Sequence, residues 1–526
     1  MDTPYLRSMP GHDSPFLRVL RGPWPIAIAL FVGSLLLFTR DNGFSFSYHP
    51  DEDGKTFQII QRERNYHHPL LLLNVTDLAV HLARVPLTSQ AVVVAGRWVS
   101  AAFAAGAVAM LAVVGFFRGG WIAAWAVGLL VATHGKLYET AHYFKEDTAL
   151  VFGLAVFFLA TEMFSCAPTS RGLRFLGFAS ALATSGKYVG VLALLFAIPF
   201  VWRAAKVPAR WKTFALAFIA TFLVLNIPPT THPSSPFRSL RREVAGVTEG
   251  HRGMTREVPH AKYVPELRED VSRGVLVSAA IALFAVVVTA RKRSGAEWTL
   301  VLFPIVYFAV ISCSPKTGGR YLLPTSSVAC ALGGLGVVEY TRFVLGKLHL
   351  IGTSLPQRSI WNMSITGFAL NLLIAQLPLL RTTMDEFRHD DRVELAAWIR
   401  ANVPADAIIV EDHRVNLFAP APGDESNKPQ VPQRVLDNDY AADLGTLDEM
   451  RGWGSVYVAV SQRAYDRFFS KNLKPQPAEK ADYERRKEFY TRLFAEAELV
   501  RELRSQGNIY LQPGLRLYKL GRPSSG

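Results

Sequence analysis

Residues 48–57 read "YHPDEDGKTF" and come shortly after the first long apolar segment of the chain, residues 23–39. The stretch holds five ionisable side chains within seven positions. A solvated loop accounts for scattered charges, but carboxylates beside a low-dielectric boundary are costly unless they are paired or used. The acidic triplet Asp51–Asp53 is therefore a candidate functional site at the edge of a membrane-spanning helix.

The part of the chain before about residue 384 is built from long apolar blocks. Half of the 526 residues are hydrophobic and only 19% are charged, and a helix needs roughly 20 apolar residues to cross a bilayer core. The blocks predict a polytopic α-helical membrane protein with about eleven transmembrane helices. The candidate spans are residues 23–39, 92–117, 121–134, 147–164, 173–186, 188–202, 212–228, 273–290, 298–313, 321–340 and 359–380.

The basic residues are unevenly distributed. The formal net charge is +14, and the surplus lies before residue 386, because the remainder of the chain is close to neutral. A basic membrane part favours anionic lipids or phosphates as partners and argues against nucleic acid.

The loops also predict an orientation. The most concentrated basic clusters beside spans include "WRAAKVPARWK" (202–212) and "ARKRSG" (290–295), and such clusters favour the cytoplasmic side. A cytoplasmic N-terminus then places residues 40–91, 135–146, 229–272 and 314–320 and the C-terminal domain outside. This topology favours a bacterial plasma membrane, although an endoplasmic reticulum protein would share it.

Further charged stretches fall on the same predicted face. Glu146 and Asp147 open a helix, where an acidic residue is also an ordinary cap. Lys316 and Arg320 flank a Thr-Gly-Gly turn before another helix. Two cations at a helix N-terminus suit a phosphate, and an interfacial pair that reaches to the membrane surface is the alternative. The same alternative is the simpler explanation for Lys187, which Tyr188 follows between two spans.

The last part of the chain, residues 385–526, reads as a soluble α/β domain. The patterns predict an amphipathic helix ending at Pro404, buried strands at "AIIVE" (407–411) and "SVYVAV" (455–460), and a long helix over 481–503. The segment "NIYLQPGLRLYKL" (508–520) is typical of a closing hairpin. No phosphate-binding fingerprint occurs there, so catalysis is assigned to the domain formed by residues 1–384.

Four stretches, in this order, resemble motifs of GT-C superfamily membrane glycosyltransferases. The form is most like family 39, which includes protein O-mannosyltransferases and the lipid A aminoarabinose transferase. "HPDE" (49–52) is similar to the first-loop acidic motif, which GPI mannosyltransferases also carry, and "HHPLLLL" (67–73) resembles the end of that loop. "FKEDTAL" (144–150) resembles the stretch where an acidic residue opens a later helix, and "KTGGRYLLP" (316–324) the stretch associated with the donor phosphate. The likeness covers roughly residues 20–340.

The resemblance implies a polyprenyl-phosphate sugar donor without a nucleotide, and the predicted topology fits, because no nucleotide-sugar pool exists outside the cytoplasm. An acceptor hydroxyl needs a carboxylate to remove its proton, and the departing phosphate needs cations. Asp51 or Glu52 would be the base, with Asp51 preferred, and attack opposite the leaving group inverts the anomeric centre. Glu146 stands where the family often has Pro, so the choice between Glu146 and Asp147 stays open.

The remaining predictions concern binding. No cofactor is required by this scheme, and no metal ligand is assigned, although the acidic cluster could hold a divalent cation. The acceptor is a protein, a glycolipid or a polysaccharide. The predicted substrate-binding residues are His49, His67, His68, Lys187, Tyr188, Lys316, Arg320 and Tyr321.

Two other classes of function compete with this interpretation. A transporter or flippase would place its functional charges near the bilayer midplane and often shows internal repeats, whereas these charges lie at loop–helix junctions. Another lipid-phosphate transferase or ligase is the second alternative, and the absence of a P-loop pattern argues against an ATP-driven one.

Overall fold

The computed structural model describes most of the chain. The described residues are 22–45, 48–207, 209–228, 238–239, 241, 244–245, 254–256, 259–314, 318–348, 357–417, 430–471, 473–505 and 509–521. Lys316 and half of the predicted outside loop 229–272 lie outside them.

The apolar part folds as helices, and each of the eleven predicted segments is mainly helical. The helices are α1 Trp24–Phe38, α2 Pro50–Ile60, α3 Leu71–Leu82, α4 Ser89–Ala132, α5 Gly135–Ala141, α6 Glu146–Cys166, α7 Ser170–Gly186, α8 Leu192–Arg203, α9 Arg210–Leu225, α10 Pro259–Asp270, α11 Arg273–Val288, α12 Gly295–Ser312, α13 Leu323–Leu348 and α14 Gln357–Phe387.

Fewer of the described helices are long enough to cross a membrane than the apolar pattern of the sequence predicts. Within the described ranges, five helical segments are long and apolar enough to span a bilayer: Ser89–Ala132, Glu146–Cys166, Gly295–Ser312, Gly319–Val344 and Asn362–Asn402. The pair Tyr263–Asp270 and Arg273–Val288, bent by 107°, makes a sixth if it is one broken span. The predicted membrane-helix character is thus confirmed in part, and the count of eleven stays a prediction.

Helix α4 contains two of the predicted spans, 92–117 and 121–134. The backbone leaves the helical conformation at Gly119 and at Gly120, where φ is 72° and ψ is −158°. The chain reverses direction at these glycines. The reversal brings Gly115 against the following arm, where a Cβ added at Gly115 would lie 3.0 Å from Cγ2 of Val127. The two predicted spans are therefore the arms of a helical hairpin.

The hairpin of α4 is the centre of the helical bundle. It packs against α1, α6, α13 and α14, and many of its buried side chains are alanine or glycine. Small side chains let helices approach closely in a membrane. This packing brings the N-terminal end of α6 next to α2, which sets up the site described below.

The C-terminal part contains a mixed sheet with helices around it. Its strands are β2 Ile408–Asp412, β3 Arg434–Asn438, β4 Val456–Ser461, β6 Glu498–Leu503 and β7 Leu515–Lys519. Their order in the sheet is β3-β2-β4-β7-β6, in which β2 is parallel to β3 and β4, and β7 is antiparallel to β4 and β6. The predicted α/β character of this part is confirmed in part. The helices around the sheet are α15 Asp391–Asn402, α16 Leu447–Arg451, α17 Gln462–Phe469 and α18 Lys480–Glu496.

One further strand pair joins this domain to the loop between α9 and α10. Strand β1, Met254–Arg256, pairs antiparallel with β5, Leu473–Pro475. The predicted domain boundary between residues 384 and 385 falls within α14, and the division into residues 1–384 and 385–526 stays a prediction.

Two details of the predicted C-terminal domain are wrong. Helix α18 ends at Glu496, and residues 498–503, predicted as its continuation, form β6. The closing hairpin is β6–β7 and not residues 508–520 alone. The local pattern of "ELVREL" (498–503) suits either a helix or a strand. Pairing with β7 makes these residues a strand.

We expect Gly120→Ala to destabilise the protein, because its backbone conformation is one that essentially only glycine adopts. The expected loss is about 1–3 kcal/mol in the free energy of unfolding, measured by thermal unfolding in detergent. Gly33→Ala is the matched control, since Gly33 is helical and a Cβ there meets nothing within 4 Å. A Gly120→Ala protein as stable as the parent would contradict the hairpin assignment.

Candidate active site

The first-loop motif forms the start of a helix. Pro50 is the first residue of α2, a position that proline suits because its missing N–H has no helical partner. The Nδ1 atom of His49 accepts a hydrogen bond of 3.2 Å from the backbone N–H of Asp51. Burial and the charges of Lys145 and Arg320 lower the pKa of His49 well below its usual range. The ring is therefore neutral and serves as the helix cap.

Glu52 is completely buried and fully engaged. Its carboxylate accepts two hydrogen bonds from Arg97 of α4, at 2.9 and 2.7 Å, and one from the backbone N–H of Phe144, at 2.9 Å. Side-chain exposure is 0% for both Glu52 and Arg97. Arg97 also donates to the carbonyl oxygens of Asn42, Phe44 and Ser45. Glu52 thus holds the first loop to α4 and to the segment before α6.

Asp51 lies on the other side of the same helix turn and is accessible. One third of its side chain is exposed. Its carboxylate is in direct contact with the ammonium group of Lys145, and Arg320 lies 3.7 Å away. The first-loop stretch, the "FKEDTAL" stretch and the "GGRYLLP" stretch therefore meet at one carboxylate, as the sequence predicted for one face of the protein.

Glu146 faces the first loop. Its carboxylate pairs with Lys55 of α2 at 2.8 Å and with Nε2 of His68 at 2.8 Å. Lys55 is itself one helical turn after Asp51, whose carbonyl oxygen it approaches at 3.4 Å. Of the two acidic residues Glu146 and Asp147, Glu146 is therefore the one that contacts the first loop.

Asp147 faces the opposite way, towards Lys187, with an oxygen–nitrogen distance of 2.7 Å. Burial lowers the pKa of Lys187, but Asp147, Tyr321 and Glu146 together outweigh burial and raise this pKa above its ordinary value. Lys187 lies 4.9 Å from the ring centre of Tyr321, and Arg320 lies 5.4 Å from the same ring. Lys187 thus lies among Asp147, Arg320 and Tyr321 and is not a cation directed only to the membrane surface.

A cavity of about 200 Å³ opens between α2 and the end of the first loop. Its lining includes Asp51, Lys55, His67, His68 and Glu146. The rings of His67 and His68 lie 4.7 Å apart. The space beside Asp51 is large enough for a small polar group.

Together these residues form a cluster with more cations than carboxylates, which we call the loop-end cluster. Its cations are Lys55, Lys145, Lys187 and Arg320, and its carboxylates are Asp51, Glu146 and Asp147. The Glu52–Arg97 pair is internally balanced, so the loop-end cluster has one basic side chain more than it has carboxylates. Burial lowers the pKa of Lys145 well below its ordinary value, whereas the pKa values of Arg320 and Lys187 are raised, so these two residues are the cations that attract an anion.

The other predicted residues lie at the edge of the cluster or are not described. Tyr188 donates its hydroxyl hydrogen to the carbonyl oxygen of Tyr66 at 2.9 Å, which ties the Lys187 turn to the first loop. Lys316 lies outside the described residues. Within the described ranges, no group of three or more His, Cys, Asp or Glu side chains is placed to share a metal ion.

Sequence reasoning missed three charged residues of this region. Lys145 and Lys55 stand inside quoted motifs, and the spacing of Lys55 four residues after Asp51 on a helix would have indicated contact. Arg97 lies within an apolar span, where a charge is a functional signal by default. The arginine within the predicted span 92–117 is therefore the sequence signal that indicates this residue.

The fold is similar to those of two solved GT-C proteins. ArnT from Cupriavidus metallidurans in the apo state matches with a TM-score of 0.52 and 13% identity, over 94% of this chain and 98% of that chain. The Archaeoglobus fulgidus oligosaccharyltransferase tethered with an acceptor peptide matches with a TM-score of 0.52 and 11% identity, over 95% of this chain and 75% of that chain. No protein-family model and no curated protein sequence matches the chain. The chain therefore has the GT-C fold, with the ArnT-like resemblance that its motifs predicted.

We expect Glu52→Gln to destabilise the fold, because it leaves the buried charge of Arg97 without its partner. Removing one member of a buried pair typically costs about 3–5 kcal/mol, measurable by thermal unfolding in detergent. Glu484→Ala is the control, since the Glu484–Lys480 pair is largely exposed and its loss should leave stability unchanged. Equal stability of Glu52→Gln and the parent would show that Glu52 does not anchor the loop.

Proposed function

We propose that the protein is an integral membrane glycosyltransferase that moves a sugar from a polyprenyl-phosphate donor to an acceptor hydroxyl. The observation that carries the proposal is the accessible carboxylate of Asp51 within the positively charged loop-end cluster. Asp51 offers a base, and the basic side chains beside it, Lys145 and Arg320, offer phosphate-binding groups, and these are the two kinds of group that this transfer needs.

Asp51 is the base in this proposal, and Glu52 is structural. A base must reach the proton that it removes, and Asp51 is partly exposed beside the cavity, whereas both oxygens of Glu52 accept hydrogen bonds from Arg97. Asp51 also contacts a lysine, but it is 33% exposed, whereas the side chains of Glu146 and Asp147 are each only 2% exposed. They set the positions of Lys55 and Lys187 around the reacting groups.

The donor phosphate binds to the cations of the loop-end cluster. Arg320 stands at the start of a helix beside Asp51, and Lys145 and Lys187 lie next to it, so their charges converge on one place. These cations stabilise the negative charge that develops on the departing polyprenyl phosphate. The acceptor oxygen bonds to the anomeric carbon as the bond from that carbon to the phosphate oxygen breaks, and attack from the far side inverts the centre.

The likeness in fold supports a lipid-linked donor. ArnT from Cupriavidus metallidurans has been crystallised with undecaprenyl phosphate. A sugar carried on such a lipid reaches a site at the end of a membrane bundle without leaving the bilayer. The acceptor is a protein, a glycolipid or a polysaccharide, and the sugar is a hexose or a pentose.

We also propose the orientation and location. The N-terminus is cytoplasmic, and the loop-end cluster and the domain of residues 385–526 face the outside of a bacterial plasma membrane after about eleven crossings. The support is the placement of the basic loop 202–212, which follows α8 at the end of that helix away from Lys187, because a basic surplus favours the cytoplasmic side.

We expect Asp51→Asn to keep the fold and donor binding and to lower transfer by about 10²–10⁴. Asparagine preserves the shape of the side chain and removes its basicity. Transfer from a radiolabelled polyprenyl-phosphate sugar to an extractable product, with purified protein and membrane extract, measures the loss. Asp53→Asn, two residues further along α2, is the matched control and should lose least.

Two results would count against this assignment. Normal turnover by Asp51→Asn, with an inactive Glu146→Gln or Asp147→Asn protein, would mean that another carboxylate is the base. Normal transfer by all three variants, or uptake of label into vesicles without product, would favour a transporter over a glycosyltransferase.

We expect Arg320→Ala to weaken donor binding, because a charge-assisted contact to phosphate is lost. Hydrogen bonds to charged groups contribute about 1.5–3 kcal/mol, so binding of polyprenyl phosphate should weaken by roughly 10- to 150-fold. Arg342→Ala removes the same charge at the other end of α13 and should leave donor binding unchanged. Unchanged donor affinity with a weaker acceptor affinity in Arg320→Ala would assign Arg320 to the acceptor.

A further inference from the structure

A short segment of the C-terminal domain enters the core of the helical bundle. Residues 509–512 precede β7, and Ile509 and Leu511 are each only 1% exposed within the hydrophobic core that the bundle helices form. The segment is thus anchored on the membrane part, although it belongs to the sheet domain in sequence.

Tyr510, between these two anchors, lies directly on the first-loop motif. Its ring centre is 4.4 Å from that of His49, and Tyr143 lies 4.8 Å from the same imidazole. The rings of Tyr510 and Tyr143 meet edge to face at 5.5 Å, and the backbone N–H of Tyr510 donates to the Tyr143 hydroxyl at 2.9 Å. His49, only 2% exposed, is therefore held between two tyrosines, one from each domain.

The C-terminal domain also fixes this segment from its own side. Arg463 of α17 donates to the carbonyl oxygen of Ile509 at 2.9 Å and lies 4.4 Å from the ring centre of Tyr510. Arg392 of α15 donates to the carbonyl oxygen of Tyr510 and lies 4.0 Å from the ring centre of Tyr48. Two successive residues of the first loop, Tyr48 and His49, are thus in contact with residues that follow α14.

The contact continues to Asp51. The ring of His49 is the acceptor for the Asp51 N–H, so the orientation of the imidazole sets the first turn of α2. Loss of the Tyr510 ring would leave a space on one face of His49 and free the ring to turn, whereas the Glu52–Arg97 pair would still hold the rest of the helix.

We infer, on the basis of the proposed function, that Tyr510 is a positioning residue for the transfer. It holds His49, and through His49 it holds the backbone of Asp51 at the distance from donor and acceptor that the reaction needs. The C-terminal domain therefore completes the active site through one aromatic contact, in addition to covering the end of the bundle.

The test compares Tyr510→Ala with Tyr510→Phe in the full chain. We expect Tyr510→Ala to speed amide hydrogen exchange in residues 49–55 and to lower kcat by about 10- to 100-fold, since a misplacement of about 1 Å can cost 10² in rate. Binding of polyprenyl phosphate should stay within about twofold of the parent. Tyr510→Phe keeps the ring and should restore both exchange and kcat.

Tyr483→Ala is the matched control, because Tyr483 packs on Phe468 inside the C-terminal domain. It should change neither the exchange of residues 49–55 nor kcat. The inference is overturned if Tyr510→Ala leaves that exchange at the parent rate, if Tyr510→Phe behaves like Tyr510→Ala, or if Tyr483→Ala causes the same rise. The hydrogen-exchange measurement does not depend on catalytic activity. A parent protein that shows no transfer would refute the proposed function, and the exchange rates would still decide whether Tyr510 holds His49 and the start of α2.

Discussion

The buried ion pair between Glu52 and Arg97 is the interaction on which the arrangement of the site depends. One carboxylate joins three separate parts of the chain: α2, the first arm of the α4 hairpin, and the backbone of Phe144 just before α6. A buried pair adds little net stability compared with apolar packing, but it tolerates only the geometry that satisfies both charges. The pair therefore fixes where α2 lies relative to the start of α6.

The two ends of the helical bundle use charge differently. At one end, Arg118 pairs with Glu162 and Glu297, and Arg293 pairs with Glu297 and Glu339. These opposite charges join neighbouring helices. At the other end the loop-end cluster has one basic side chain more than it has carboxylates. Paired charges are tolerable near hydrocarbon, and an unbalanced surplus is a cost that a bound phosphate would relieve.

Much of the candidate site was predictable from sequence, because its residues lie in short motifs at helix ends. Asp51, Glu146, Asp147 and Arg320 stand beside apolar segments, and the count of spans placed them on one face. Their individual partners were not predictable. Neighbouring residues of one helix point in different directions, so Glu52 meets Arg97 while Asp51 meets Lys145. Only the packing of α2 against α4 decides which carboxylate is buried.

The sequence by itself determined the helical segments and the α/β character of the C-terminal domain, since both follow from the period and length of apolar runs. The tertiary structure alone decided that residues 498–503 form a strand and that Tyr510 contacts His49. These two residues are separated by more than 450 positions in the chain. No local pattern encodes such a contact, because it arises only when the burial of Ile509 and Leu511 in the bundle core brings this segment against the first loop.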